Sequence, residues 1–268
     1  MSLRQQLGNL RNRALQGACR RELSLEEIGP VVSFTFDDFP SSAVQAGGPI
    51  LKSCQAEGTY YAAMGFLDAT AGQGPRFCAE DLHKLLRDGH ELGSHTFDHG
   101  SCRTLRPDEF EQDALKGMRA VQHVTGSTEP HSFAFPYGHV TVRSKRRLGA
   151  WFSSCRGIVP GINESPVDLN LLRANSLYSA SFDREVVARL MEVCARRRGW
   201  LIFYSHDVSE RPGRHGCTPS ELEGVVRMAA KAPLRIATVG EVVERATAHS
   251  CAAADRVATR VSEEKLSP

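Results

Sequence analysis

At 268 residues the chain has room for one large domain or two small ones, and 41% hydrophobic against 24% charged residues is the balance of a soluble globular protein. With 33 basic and 31 acidic residues the formal charge is +2, which supplies no electrostatic drive toward nucleic acid or a membrane surface. No apolar run approaches the length of a membrane span, and eight scattered cysteines without a CxxC pair read as reduced thiols of a cytoplasmic chain, not as a disulfide scaffold.

Residues 1–28 are polar and rich in Arg and Gln, the composition of a basic N-terminal arm or helix. Met1–Leu23 lacks the apolar stretch of a secretory signal, which again points to the cytoplasm. From Gly29 onward short apolar runs alternate with helical patterns. Strands are expected at Val31–Phe36, Thr59–Met64, Glu91–His95, Ser132–Phe135, Ala150–Ser154, Asn175–Tyr178, Leu201–Ser205 and Arg235–Thr238.

Between them, Pro107–Val124 opens with Pro and two acids and sets Phe110, Ala114, Met118 and Val121 on one helical face. Asp183–Arg198 sets Val186, Leu190 and Val193 on one face, and its Arg196-Arg197-Arg198 run meets the negative end of the helix dipole. Thr218-Pro219-Ser220-Glu221 is a capping box that starts a helix through Ala230. This alternation predicts an α/β fold, a distorted (β/α) barrel of about seven parallel strands over residues 29–248. The Ala- and charge-rich residues 249–268 are expected to form a C-terminal tail.

Four strand ends carry the chemistry. Val31–Phe39 empties an apolar strand into two adjacent carboxylates, Asp37 and Asp38, and ionised carboxylates resist burial unless a positive charge compensates them. Either aspartate alone reads better as a helix N-cap, but the pair beside two spaced histidines does not. In Ser94-His95-Thr96-Phe97-Asp98-His99, two histidines at i and i+4 follow a strand, a spacing that suits two imidazoles on one divalent metal. One carboxylate of the aspartate pair with His95 and His99 then makes a His₂-carboxylate set with open positions, and the other is free to act as a base. Phe135-Pro136-Tyr137-Gly138 is a tight loop whose N–H groups can face an oxyanion, and Tyr204-Ser205-His206-Asp207 ends a strand in a histidine able to protonate a leaving nitrogen. In a parallel barrel all four groups share the C-terminal face.

Thr35-Phe36-Asp37-Asp38, His95-Thr96-Phe97-Asp98-His99, Phe135-Pro136-Tyr137-Gly138 and Phe203-Tyr204-Ser205-His206-Asp207, in this order, resemble the motifs of the polysaccharide deacetylases, the NodB-homology family also called carbohydrate esterase family four. The resemblance extends from about Pro30 to Ala246. It implies metal-dependent removal of acetyl from an N-acetylated sugar, with Asp37 as general base, Asp38, His95 and His99 as metal ligands, the Tyr137 N–H at the oxyanion and His206 as general acid. Zinc is the implied metal, with cobalt, nickel or manganese as alternatives. The implied partner is an N-acetylated saccharide, with no nucleic acid, no membrane span and no particular oligomeric state.

Two positions depart from the family pattern. Where many members carry an arginine in the third motif, against the catalytic base, this chain has Ala134. The acid-rich fourth motif, which orients the catalytic histidine, has no match; Trp151 falls there without the acids. Arg156, just past Ala150–Ser154, is expected to reach Asp37 in place of the missing arginine, with Arg173 as runner-up; no residue is assigned to orient His206. A metal hydrolase for a non-sugar amide and a catalytically silent carbohydrate-binding barrel are the alternative functions. The loop from Gly72 to Phe77 and the segment from Ser209 to Cys217 are expected to shape the cleft.

Overall fold

The computed structural model describes residues 12, 14–71, 74–127 and 132–264; residues 1–11 and 13 of the expected N-terminal arm, Gly72 and Gln73 of the expected cleft loop, and residues 265–268 of the expected tail lie outside the described residues. The strands in chain order are β1 (Glu22–Leu23), β2 (Val31–Asp37), β3 (Thr59–Ala62), β4 (Thr70–Ala71), β5 (Gly74–Pro75), β6 (Glu91–Ser94), β7 (Ser132–Ala134), β8 (Ser154–Arg156), β9 (Val167–Asp168), β10 (Asn175–Ser176), β11 (Trp200–Ser205) and β12 (Arg235–Ile236). Seven of them run in the order β10–β11–β2–β3–β6–β7–β8, every pair parallel. At β2, β11 lies along one edge, while β12 and then β3 share the other. The two ends of the curled sheet approach through one parallel bridge, Arg156 with Leu172, so the barrel is closed only by an irregular segment. This is the expected fold class.

The centre of the sheet is apolar because both of its faces are covered. Every residue of β2 is buried, and a parallel strand enclosed on both sides has to be apolar throughout rather than alternating. Phe34 stacks on Phe203 at 5.9 Å and Phe36 on Tyr60 at 4.7 Å, tying β2 to both neighbours. Helices Pro107–Thr125, Arg184–Arg197 and Pro219–Lys231 stand where the sequence places them. In the last, Thr218 Oγ1 accepts from Glu221 N–H at 3.2 Å and Glu221 Oε2 accepts from Thr218 N–H at 2.8 Å, the reciprocal capping box.

Three expectations are corrected. Ala150–Ser154 is not a strand: residues 150–152 wind on from helix Val142–Leu148, with Phe152 N–H donating to Leu148 C=O at 3.0 Å, and the strand begins at Ser154. Trp151, which reads as a strand residue, points outward and donates from Nε1 to Glu111 at 3.0 Å. Helix Arg184–Arg197 buries Val187, Met191 and Cys194, whereas Val186 is 50% exposed. Both stripes are apolar at helical spacing, so periodicity alone cannot choose between neighbours 100° apart. The helix Val239–Glu264 runs through the tail boundary expected at 248. Its first turns are held by Val239, Val242, Val243 and Ala246 in the core.

Ahead of β2, the segment from Ala14 to Leu23 is strapped to the barrel. β1 pairs antiparallel with β9. Fully buried Lys145 donates from Nζ to the carbonyls of Leu15 (2.7 Å) and Ala18 (2.5 Å) and lies 2.6 Å from Asp168 Oδ2. Arg21 adds bonds to the carbonyls of Phe152 (2.8 Å) and Ser153 (2.7 Å). Among the described residues no cysteine forms a disulfide, and no helix is long and apolar enough to cross a membrane.

Two measurements test this frame. Lys145→Met leaves Asp168 buried and uncompensated, and is expected to cost about 3–5 kcal/mol in urea unfolding. Buried His90 accepts from Gly58 N–H through Nδ1 at 3.0 Å, which requires the neutral ring; burial pushes its pKa down from 6.5 to about 4. In that window the unfolded chain binds a proton that the folded chain refuses, so stability falls as pH drops. By pH 5 the loss is roughly 2 kcal/mol relative to pH 7, and a His90→Asn variant is expected to lack this component of the slope.

Candidate active site

The two carboxylates at the tip of β2 are sent to different partners. Asp37, the last residue of the ladder, is buried and accepts through Oδ1 from the Arg156 guanidinium. Arg156 is fully buried, donates to Gly157 C=O at 3.0 Å, and lies 5.1 Å and 5.2 Å over the rings of Tyr61 and Tyr204. Burial works against its charge, but Asp37 more than offsets this, and the arginine pKa is raised. Ala134 and Arg156 are register partners on β7 and β8, so the guanidinium comes from the residue beside the position where the family pattern places it. Arg173, the runner-up, instead donates to Pro160 C=O at 3.1 Å.

Asp38 follows with a left-handed φ of 33°, which turns its side chain out of the strand. Arg76, on the chain leaving the β4–β5 hairpin, donates to its carboxylate Oδ2 at 3.0 Å and also to its backbone carbonyl. Its Oδ1 lies 3.1 Å from His206 Nε2. Burial raises the Asp38 pKa, but the hydrogen bond and charge of His206 lead the effects that outweigh it and hold the group below the ordinary carboxylate range.

His95 and His99 leave β6 on a loop that needs outside support, since Thr96 (φ 64°) and His99 (φ 57°) are both left-handed. Asp113, from helix Pro107–Thr125, provides it: its Oδ1 accepts from Phe97 N–H (3.2 Å) and Asp98 N–H (2.9 Å), and its Oδ2 from Gly100 N–H (3.3 Å). The helix comes this close because residue 117 is Gly; a Cβ there would meet the Thr96 carbonyl carbon at 2.5 Å. His95 Nδ1–H donates to Ala134 C=O at 2.7 Å, which leaves Nε2 as the free lone pair. Burial pushes both imidazoles down, His99 to about 4, so each is neutral and able to donate an electron pair.

Ligand atoms of Asp38, His95 and His99 all lie within 4.8 Å of one another. Two neutral imidazoles, one already oriented by a backbone carbonyl, and one ionised carboxylate are a donor set that fits a divalent metal with open positions.

Tyr137 is left-handed (φ 58°) in the turn Pro136–Gly138, and its 58%-exposed ring meets His99 edge-on at 4.6 Å. His206 follows β11 directly. Its Nδ1 lies 3.2 Å from the carbonyl of His215, which also accepts from His206 N–H at 3.1 Å. This imidazole is therefore oriented by a backbone carbonyl at Nδ1 and by the Asp38 carboxylate at Nε2. Burial lowers the His206 pKa, but the Asp38 contact and charge outweigh it and the net direction is upward. Asp37, Asp38, His95, His99, Tyr137 and His206 all line one cavity of about 450 Å³. Arg76, Tyr178, Tyr204 and His215 line it too and went unrecognised in the sequence. Tyr204 lies inside the Phe203–Asp207 motif and Tyr178 at the end of the expected strand Asn175–Tyr178, whereas Arg76 and His215 come from loops without periodic signal. The segment from Ser209 to Cys217 reaches the cavity through His215.

The sequence profile described as Polysaccharide deacetylase matches residues 26–150, just under half of the chain. The peptidoglycan-N-acetylglucosamine deacetylase of Listeria monocytogenes is 30% identical over 119 residues, 44% of this chain and 24% of its own; the chain thus spans about a quarter of that relative. The chitooligosaccharide deacetylase of Azorhizobium caulinodans is 27% identical over 196 residues, 71% of this chain and 76% of the relative. Among solved structures, a family 4 carbohydrate esterase from Bacillus anthracis superposes with a TM-score of 0.59 at 13% identity, covering 88% of this chain and 92% of the other. A family 4 acetyl xylan esterase from Clostridium thermocellum, solved with a cobalt ion, superposes at 0.53 and 19%, covering 79% and 89%. Over residues 26–150 the chain is thus similar to the polysaccharide deacetylases, and its parallel sheet shares the fold of the family 4 esterases.

Proposed function

We propose that the chain is a metal-dependent hydrolase that removes N-acetyl groups from an N-acetylated sugar of a glycan. One observation carries the reading: the Asp38–His95–His99 donor set, the Arg156-paired Asp37 and the carbonyl-oriented His206 line a single cavity. Both curated relatives above are named as deacetylases of N-acetylated glycans, which supports the substrate class.

In this reading Asp38, His95 and His99 hold the metal, with zinc the best match to two imidazoles and a carboxylate. Once bound, it supplies Lewis acidity to water and to the acetyl carbonyl. Asp37 takes the proton of the attacking water; Arg156 fixes that carboxylate in direction. The Tyr137 N–H faces the oxygen on which negative charge develops. His206 delivers a proton to the departing amine, its ring held by the His215 carbonyl. The absent third-motif arginine, which favoured a silent barrel, loses its force because Arg156 occupies the slot.

Acetate release from N-acetylated chitooligosaccharides, against a panel of small amides and imides, tests the proposal. Activity on the sugars that is lost with chelator and restored by Zn²⁺ or Co²⁺ is the expected result; turnover of the amides alone would replace the sugar reading. Asp37→Asn and His206→Ala are each expected to lower turnover on the order of 10²–10⁴-fold. Arg156→Ala is expected to fall at least about 10²-fold, and Ala134→Arg in the same chain to recover part of it, because the two positions are register partners. Unchanged turnover in Arg156→Ala would remove it from the mechanism.

A further inference from the structure

No acid-rich fourth motif orients His206 in this chain, yet a buried carboxylate follows that histidine directly: Asp207 is 4% exposed. Burying a carboxylate is costly unless its oxygens are bonded, so stability alone does not explain its place. Its Oδ2 accepts from Gly213 N–H at 2.9 Å and from Ser209 Oγ at 3.3 Å, both in the segment from Ser209 to Cys217. Its Oδ1 meets no donor among the described residues and packs against Gly216, where a Cβ would collide with it. The segment closes this tightly because residue 216 is Gly. Main-chain bonds complete the loop: Asp207 C=O accepts from Cys217 N–H at 3.0 Å, and Gly213 C=O from Gly216 N–H at 3.0 Å.

Between the two points at which Asp207 grips this segment, residues 213 and 216, lies the carbonyl of His215. It accepts from His206 N–H at 3.1 Å, lies 3.2 Å from His206 Nδ1 and accepts from Ser205 Oγ at 3.4 Å. A hydrogen bond weakens steeply as it bends, so the aim of the His206 ring depends on where the loop backbone lies. In the deacetylase reading Asp38 is given to the metal. The carbonyl is then the contact that keeps one proton on Nδ1, so that the proton given away is the one on Nε2.

We propose that Asp207 is a positioning residue for His206, acting through the backbone of the segment from Ser209 to Cys217 and taking the place of the acid missing from the fourth motif. The proposal rests on the deacetylase reading, in which His206 protonates the departing amine. Such a residue matters only where the leaving group needs a proton. Asp207→Ala is expected to lower kcat for acetate release from N-acetylated chitooligosaccharides about 10–10²-fold at unchanged KM. Hydrolysis of 4-nitrophenyl acetate, whose phenolate leaves without a proton, is expected to keep its rate. In a His206→Ala chain Asp207→Ala is expected to add no further loss. Asp207→Asn, whose single oxygen can take both bonds of Oδ2, is expected to restore turnover. Gly216→Ala displaces the same clamp from the loop side and is expected to give the same selective loss. Equal losses on sugar and ester, a further loss in the His206→Ala chain, or a loss in Asp207→Asn as large as in Asp207→Ala overturns the proposal. Long-range ¹H–¹⁵N spectra of His206 read the contact without turnover. The unaltered chain is expected to show a proton on Nδ1 in slow exchange with water, and Asp207→Ala and Gly216→Ala to lose it. If no sugar releases acetate, yet Asp207→Ala loses that proton, the deacetylase reading fails and the positioning role stands. If the proton persists in both variants, the positioning role fails.

Discussion

Two negative charges at the end of a buried strand cannot share one environment, and the site follows from how they are separated. Asp37 stays in line with the sheet and takes a buried guanidinium. Asp38 turns through a left-handed residue toward two histidines, with Arg76 and His206 closing on its oxygens. A carboxylate paired with one fixed cation is held in direction, whereas one that reaches neutral imidazoles is suited to share a metal with them. The difference lies in backbone direction, not in residue type.

The supports of the site come from the layer outside the sheet. The loop with His99 contains two left-handed residues and is tied down by one carboxylate, Asp113, on a helix brought close by Gly117. His95 is oriented by the Ala134 carbonyl and His206 by that of His215. The imidazoles proposed to hold a metal or move a proton are thus positioned largely by main-chain atoms, which tolerate substitution of the residues that bear them.

That division explains what could be read from the sequence. The four strand ends were legible because each motif is local and the barrel rule places them on one face. Arg156 was legible as a missing charge to be supplied. The His215 carbonyl was not, since every residue carries one and no side-chain pattern marks it. Arg76 arrives on an irregular segment, which has no period to betray it. The buried stripe of Arg184–Arg197 was read one residue off, as Val186 instead of Val187, because two apolar stripes lay side by side. The closing bridge at Leu172 was not visible because a single pair leaves no run to detect.

The pairing of Ala134 with Arg156 also bears on ancestry. Two guanidinium groups in that slot would repel each other and overfill it, and none would strand Asp37, so a lineage moving between the arrangements crosses a disfavoured intermediate in either direction. Such exchanges are therefore expected to be rare and, once made, inherited intact. A column-by-column comparison would count one as a lost arginine plus an unrelated gain, and would group chains that carry the exchange with chains that hold no guanidinium there at all.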